Sequence, residues 1–150
     1  MNRNYKFCAR KYIWCIAPFI ILFTQAKAQL QPGQKLGDDV KIINQSKYIL
    51  SSPGSIEKAY TVIYNGHTYD IILRPDKKIK VIFTNDKAYV TTDSIKIGMP
   101  YSQIEQSLLN KQRHVYPGWA QFYESKSGWK IAFDFNTAVT DTSTVKFMFK

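Results

Sequence analysis

The sequence predicts a two-layer α+β domain, short helices packed on an antiparallel sheet. Three observations predict it. Two apolar-alternating runs, residues 60–64 and 67–73, flank Asn65-Gly66, the pair that best fills a two-residue hairpin turn because both positions need positive φ. After Pro100, the residues Tyr101, Ile104 and Leu108 recur at the spacing of one helical face. From Trp119 onward, aromatic and aliphatic residues alternate with polar ones through three further segments.

A leader precedes this domain. Arg3, Lys6, Arg10 and Lys11 open the chain, an apolar run covers residues 13–23, and Ala26-Lys27-Ala28 offers a small-residue cleavage site before Gln29. That order is a secretory signal peptide over residues 1–28, cut after Ala28. The run is too short to span a bilayer and contains Pro18, so no stable membrane insertion is expected after cleavage. A single exported domain, residues 29–150, remains. Five of the 21 basic residues and none of the 11 acids belong to the leader, so the mature domain carries 16 basic residues against 11 acids, a net +5. That charge suits solubility and attraction to anionic envelope surfaces. Both cysteines, Cys8 and Cys15, lie in the leader, so the mature chain has neither disulfide nor thiolate chemistry. Cys15 lies before most of the apolar run, a poor place for a lipid. The expected location is periplasmic or secreted.

Along the domain, Pro32 and Gly33 mark a loose entry. Gly37-Asp38-Asp39-Val40 opens either a short helix capped by an Asp or a strand over residues 40–43. Residues 51–55, Ser-Ser-Pro-Gly-Ser, form a turn. The hairpin follows, with Tyr64 opposite His67, Val62 opposite Tyr69 and Tyr60 opposite Ile71. Tyr60, Val62, Tyr69 and Ile71 then face the core, while Thr61 and Asp70 meet on the other side. Residues 79–83 make a third strand with Ile79, Val81 and Phe83 inward. Lys77, Lys78 and Lys80 form the only basic cluster, which reads as a solvated strand end.

The second half begins near Ser94. Pro100 suits the first turn of a helix over residues 101–110 because it wastes no amide hydrogen there. Pro117 and Gly118 occupy the centre of a type II turn. Strands over residues 119–124 and 129–135 then pair with Glu124 opposite Trp129, Phe122 opposite Ile131 and Ala120 opposite Phe133. A last strand covers residues 144–149. The expected core face carries Ala120, Phe122, Trp129, Ile131, Phe133, Phe135, Val145, Phe147 and Phe149. The open face carries Trp119, Gln121, Tyr123, Lys130, Ala132, Asp134, Lys146 and Met148. One extra loop residue would reverse the two faces.

Lys35-Leu36-Gly37 and Lys96-Ile97-Gly98 echo one another, each before a candidate helix and strands, which suggests tandem helix-sheet units over residues 35–84 and 94–150. The stretch Ile95 to Ile104, with Gly98, Met99 and Ile104 in place, resembles a motif of the SmpA/OmlA-type outer-membrane assembly lipoproteins and of the β-lactamase-inhibitor-protein-like domains, over residues 94–150. The resemblance implies a helix laid on a three-stranded sheet and a habit of binding other proteins; it transfers no active site. Pro100 stands where those families place a capping Ser or Thr, and no lipid-bearing cysteine follows the leader.

Catalytic groupings are not found. His67 and His114 are the only histidines and lie far apart, so neither a metal nor another cofactor is expected. There is no G-x-S-x-G elbow and no Gly-rich phosphate loop. Asp38-Asp39 reads as helix capping. Scattered lysines and modest charge argue against nucleic acid. The open face of the C-terminal sheet is the candidate binding surface: Trp119, Tyr123, Lys130, Asp134, Lys146 and Met148. Aromatic residues and methionine are enriched at recognition surfaces. The expected function is a non-enzymatic interaction module of the bacterial envelope, engaging another envelope or secreted protein. The alternative is a small periplasmic hydrolase that pairs Asp134 or Asp70 with His67.

Overall fold

The computed structural model describes residues 29–150, and the leader read over residues 1–28 lies outside them. Among the described residues, eight strands make one antiparallel sheet: β1 (Lys41–Ser52), β2 (Ser55–Tyr64), β3 (His67–Leu73), β4 (Ile79–Thr84), β5 (Leu109–Tyr116), β6 (Ala120–Ser125), β7 (Lys130–Phe133) and β8 (Phe147–Phe149). Their spatial order is β1-β2-β3-β4-β8-β7-β6-β5. Each half of the chain supplies a four-stranded meander. The two join where β4 meets β8, through Phe83↔Phe149 and Thr84↔Met148.

This overturns the α+β expectation. The helical content of the described residues is two single 3₁₀ turns, Tyr101–Gln103 and Gln106–Leu108. The apolar stripe does turn inward, with Ile104 buried and Tyr101 and Leu108 half-buried. It does so without winding into a helix, for two reasons. Neither turn has a side-chain cap, since Pro100 and Glu105 occupy the capping positions. The backbone amides at its start also have other acceptors: Gly98, Tyr101 and Ser102 donate to the carbonyls of Val145 (2.8 Å), Ser143 (2.8 Å) and Asp141 (3.1 Å). A segment this short, uncapped, does not hold a helix by propensity. At Asp38-Asp39 the chain makes a turn and enters β1, so the strand alternative is the one that forms. Both halves of the sheet are strand meanders, and the helix implied by the family resemblance is not formed.

Loops, not helices, cover the core face. Leu30, Tyr89, Ile95, Ile104 and Val145 pack down onto Val62, Tyr69, Ile71, Ile82, Ile131, Phe133 and Met148 of the sheet. The β2–β3 hairpin keeps the register that Asn65-Gly66 dictates, Tyr60↔Ile71 through Tyr64↔His67. In β4 the alternation differs from expectation. A bulge sets Leu73 opposite Ile79 and Ile72 opposite Val81, so Ile79 and Ile82 are buried in the core while Phe83, opposite Asp70, turns to the second face.

The β6–β7 hairpin shifts by one residue from the expected pairing. The pairs are Glu124↔Lys130, Tyr123↔Ile131, Phe122↔Ala132 and Gln121↔Phe133. The loop is three residues long: Gly128 N–H donates to Ser125 O (2.9 Å), and Ser125 N–H donates to Trp129 O (2.7 Å). Gly128 sits at φ 80°, the left-handed position a three-residue hairpin needs. Because side chains alternate with period two, this single step exchanges the faces of β6, while Trp129, Ile131 and Phe133 stay in the core. Gly128→Ala is expected to cost about 1–2 kcal/mol from the left-handed backbone alone. A Cβ there would also lie 3.3 Å from Lys150 Cε. Urea unfolding measures the loss.

The basic cluster reads as expected. Lys78 reaches Asp76 (3.7 Å) and Lys80 reaches Glu57 (2.6 Å). Lys80 and the Ser51 hydroxyl hold the Glu57 carboxyl below its ordinary value of 4.5. The Thr68 and Ala88 amides, with His67 nearby, hold Asp86 below 3.8. At Asp93 burial opposes ionisation, but hydrogen bonds from Ser127 outweigh it and the pKa is again lowered. All three carboxyls bind protons less readily folded than unfolded. Their stabilisation is complete above about pH 5 and is lost as pH falls through the lowered values. The melting temperature is expected to stay level from pH 7 to 5 and drop steadily below 4; a level profile down to pH 2 would contradict these assignments.

Candidate functional site

The second face of the sheet is concave. β1 is twelve residues long and bulged, with register shifts between Ile42 and Asn44 and between Asn44 and Lys47. Bulges bend a strand. The far end of β1 arrives at the opposite side of the sheet, where the Trp119 indole N–H donates to Leu50 O at 2.9 Å. Trp119 itself is set by the Pro117-Gly118 turn: Gly118 lies at φ 74° and Trp119 N–H donates to Tyr116 O (3.1 Å), as a type II turn requires.

Beneath this contact lies a layer of rings. Phe83 and Phe149 stack across the β4–β8 seam with centroids 5.6 Å apart. Trp119 meets Phe149 edge-on at 5.2 Å, and Phe122 meets Phe149 edge-on at 5.0 Å. Tyr116 and His114 extend the layer along β5, stacked on Phe122 at 5.8 and 5.0 Å. Between this layer and the end of β1 opens a groove of about 440 Å³, walled by Leu50, Phe83, Trp119, Phe135 and Phe147. That volume is in the range of small-ligand and side-chain pockets.

Two charged side chains line the groove, Asp70 and Lys146. Asp70 accepts hydrogen bonds from Lys47 Nζ (2.7 Å) and the Thr61 hydroxyl (2.7 Å). Lys146 is exposed and makes no ion pair among the described residues. Its backbone N–H is tied to Ala132 O at 2.8 Å, which fixes the base of the side chain beside the groove.

The six residues expected on one sticky face divide. Trp119 and Lys146 line the groove. Lys130 shares their face, its ammonium 5.5 Å above the Phe149 ring. Tyr123 and Met148 are on the core face: Met148 is fully buried, and Tyr123 is half-buried and stacked on Tyr101 at 5.4 Å. Asp134 is an exposed turn residue whose carboxylate accepts the Asn136 amide (3.0 Å). Its carbonyl accepts from the Gln121 side chain. Conversely Ala120 and Phe122, expected beside Trp129, are buried on the second face, and Phe135 is exposed at the groove. Phe83, Phe135, Phe147 and Leu50 were missed as site residues because the β3–β4 bulge turns Phe83, Phe135 lies past the end of β7, β8 enters irregularly before Phe147, and the bulged β1 carries Leu50 to the groove.

The carboxylate–histidine pairings of the hydrolase reading do not assemble. His67 points to the core-face side, edge-on to Tyr89 at 5.3 Å, with Nδ1 3.4 Å from Asp86 Oδ2. Asp70 lies across the sheet, held by Lys47 and Thr61. Among the described residues no three His, Cys, Asp or Glu side chains gather as metal ligands would. No helix of the described residues is long and apolar enough to cross a membrane. Comparison with protein-family models, curated proteins and solved structures finds no match to the chain.

Proposed function

We propose that the chain is an exported, non-enzymatic binding module of the bacterial envelope that engages a protein partner through the groove on its concave face. One observation carries this reading: a half-buried tryptophan stands over a layer of stacked rings at the wall of an open apolar groove. Apolar walls with a few placed polar groups characterise binding pockets. Interface energy concentrates in such buried aromatic anchors, with tryptophan foremost. The aromatic and basic character expected of the surface is retained in Trp119, Lys130 and Lys146, joined by Phe83, Phe135 and Phe147 in place of Tyr123 and Met148.

Photo-crosslinking in the producing cell tests the reading. A photoreactive residue at position 135, at the groove, is expected to form one discrete adduct with an envelope protein. The same residue at position 111, exposed on β5 and outside the groove, is expected to form none. Adding Trp119→Ala is expected to remove the adduct. An adduct indifferent to Trp119, or none from any groove position, would overturn it.

A further inference from the structure

We infer that the groove recognises an apolar side chain of its protein partner lying beside a carboxylate, with Lys146 as the partner of that carboxylate. The inference rests on the reading of the concave face as the binding surface and adds the charge of what enters it. Only Asp70 and Lys146 among the lining residues are charged. The Asp70 carboxylate is already occupied, by Lys47 at 2.7 Å and Thr61 at 2.7 Å. A cationic group entering the groove would therefore meet a satisfied carboxylate and an ammonium that is unpaired among the described residues. An anion would meet the unpaired ammonium of Lys146 alone. The remaining walls, Leu50, Phe83, Trp119, Phe135 and Phe147, offer apolar surface and no further charge. Apolar walls with one positive charge at their edge, unpaired among the described residues, complement an aromatic or large aliphatic side chain flanked by Asp or Glu. The fixed base of Lys146, through its backbone hydrogen bond to Ala132 O, keeps the ammonium within reach of the groove.

Three short peptides separate the possibilities: acetyl-Gly-Phe-Glu-Phe-Gly-amide and its counterparts with glutamine or lysine at the centre. Each is titrated into the ¹⁵N-labelled protein expressed from its full sequence, and the Trp119 indole N–H resonance is followed. The glutamate peptide is expected to bind about fivefold more tightly than the glutamine peptide, the upper end for an ion pair open to solvent. The lysine peptide is expected to bind most weakly. Lys146→Glu is expected to invert the order, so that the lysine peptide binds best. Lys111→Glu, an equal change of charge away from the groove, is expected to leave the order unchanged. Equal binding of the glutamate and glutamine peptides, or an order that Lys146→Glu does not alter, would overturn the charge assignment while leaving the groove as a binding site. If no peptide shifts the Trp119 resonance, the binding-surface reading fails, and this inference with it.

Discussion

Trp129→Ala is expected to lower the free energy of unfolding by about 3–5 kcal/mol, the range for removing a large ring from a packed core. Trp129 is 1 % exposed and packs against the Tyr89 ring at 5.3 Å. The loops that cover the core face close over it together with Ile95 and Ile104. Small domains have about 5–15 kcal/mol of stability in all, so the variant is expected to be marginal at 25 °C. In urea the midpoint is expected to fall at nearly unchanged slope, since the surface exposed on unfolding changes little. Trp129→Phe is the informative companion. The indole Nε1 is buried beside the Tyr89 hydroxyl, with no well-aligned hydrogen bond to it or to any other described residue. Replacing it by Phe removes a donor whose only polar neighbour is the Tyr89 hydroxyl while keeping most of the ring, so the loss is expected to be well below that of alanine. A cost under about 1 kcal/mol for Trp129→Ala would mean that the core lies elsewhere.

Trp119→Ala, by contrast, is expected to leave the fold nearly intact and weaken partner binding about 30-fold, which corresponds to the roughly 2 kcal/mol of a hot-spot truncation. Its stability cost is expected to be about 1 kcal/mol, mainly the hydrogen bond to Leu50 O. Affinity for the crosslinked partner and thermal melting, measured on the same variants, separate the two effects. Trp119→Phe retains ring contact with Phe149 and loses the N–H, so it is expected to recover most of the affinity but not the bond across the sheet. Tyr123→Ala serves as the opposite control. Its ring lies on the core face against Tyr101 and Phe133, so it is expected to destabilise the domain without touching affinity. Reversal of the two phenotypes would return the binding surface to the other side.

Asn65-Gly66 shows why part of this was legible in the sequence. A two-residue turn with demanding backbone angles leaves one register open, and every pair of β2 and β3 follows from it. The loop over residues 126–128 carries no such instruction. Gly128 is compatible with two, three or four loop residues, and the choice of three exchanged Tyr123 with Ala120 and Phe122, while Met148 turned inward because β8 enters irregularly after Val145 and sets Met148 opposite Ile131. Trp119 and Lys146 remained legible as surface because the turn before β6 and the irregular approach to β8 set them, rather than the alternation within a strand. The lost helix has a different cause. Tyr101, Ile104 and Leu108 satisfy a helical period, but three apolar residues buried by successive turns satisfy it equally. What decided between them was the supply of acceptors from residues 141–145, a partner 40 positions away that no local pattern encodes. β1 is of the same kind: its length and bulges, which carry Leu50 across to Trp119, have no counterpart in the run of residues 41–52 taken alone.

The seam where β4 meets β8 sets a limit on how quickly the domain can be made. It sits in the middle of the strand order and is built from two short segments, residue 83 opposite residue 149. Each meander can zip up locally from its own hairpins, yet the Phe83–Phe149 stack and the core shared by both halves form only when the two find each other. Loop closure over so long a stretch places the domain among slow, topology-limited folders, in the millisecond-to-second range. During that interval both half-sheets present a bare inner edge to whatever is nearby, so assistance or dilution during refolding is expected to raise the yield more than any change to the outer strands.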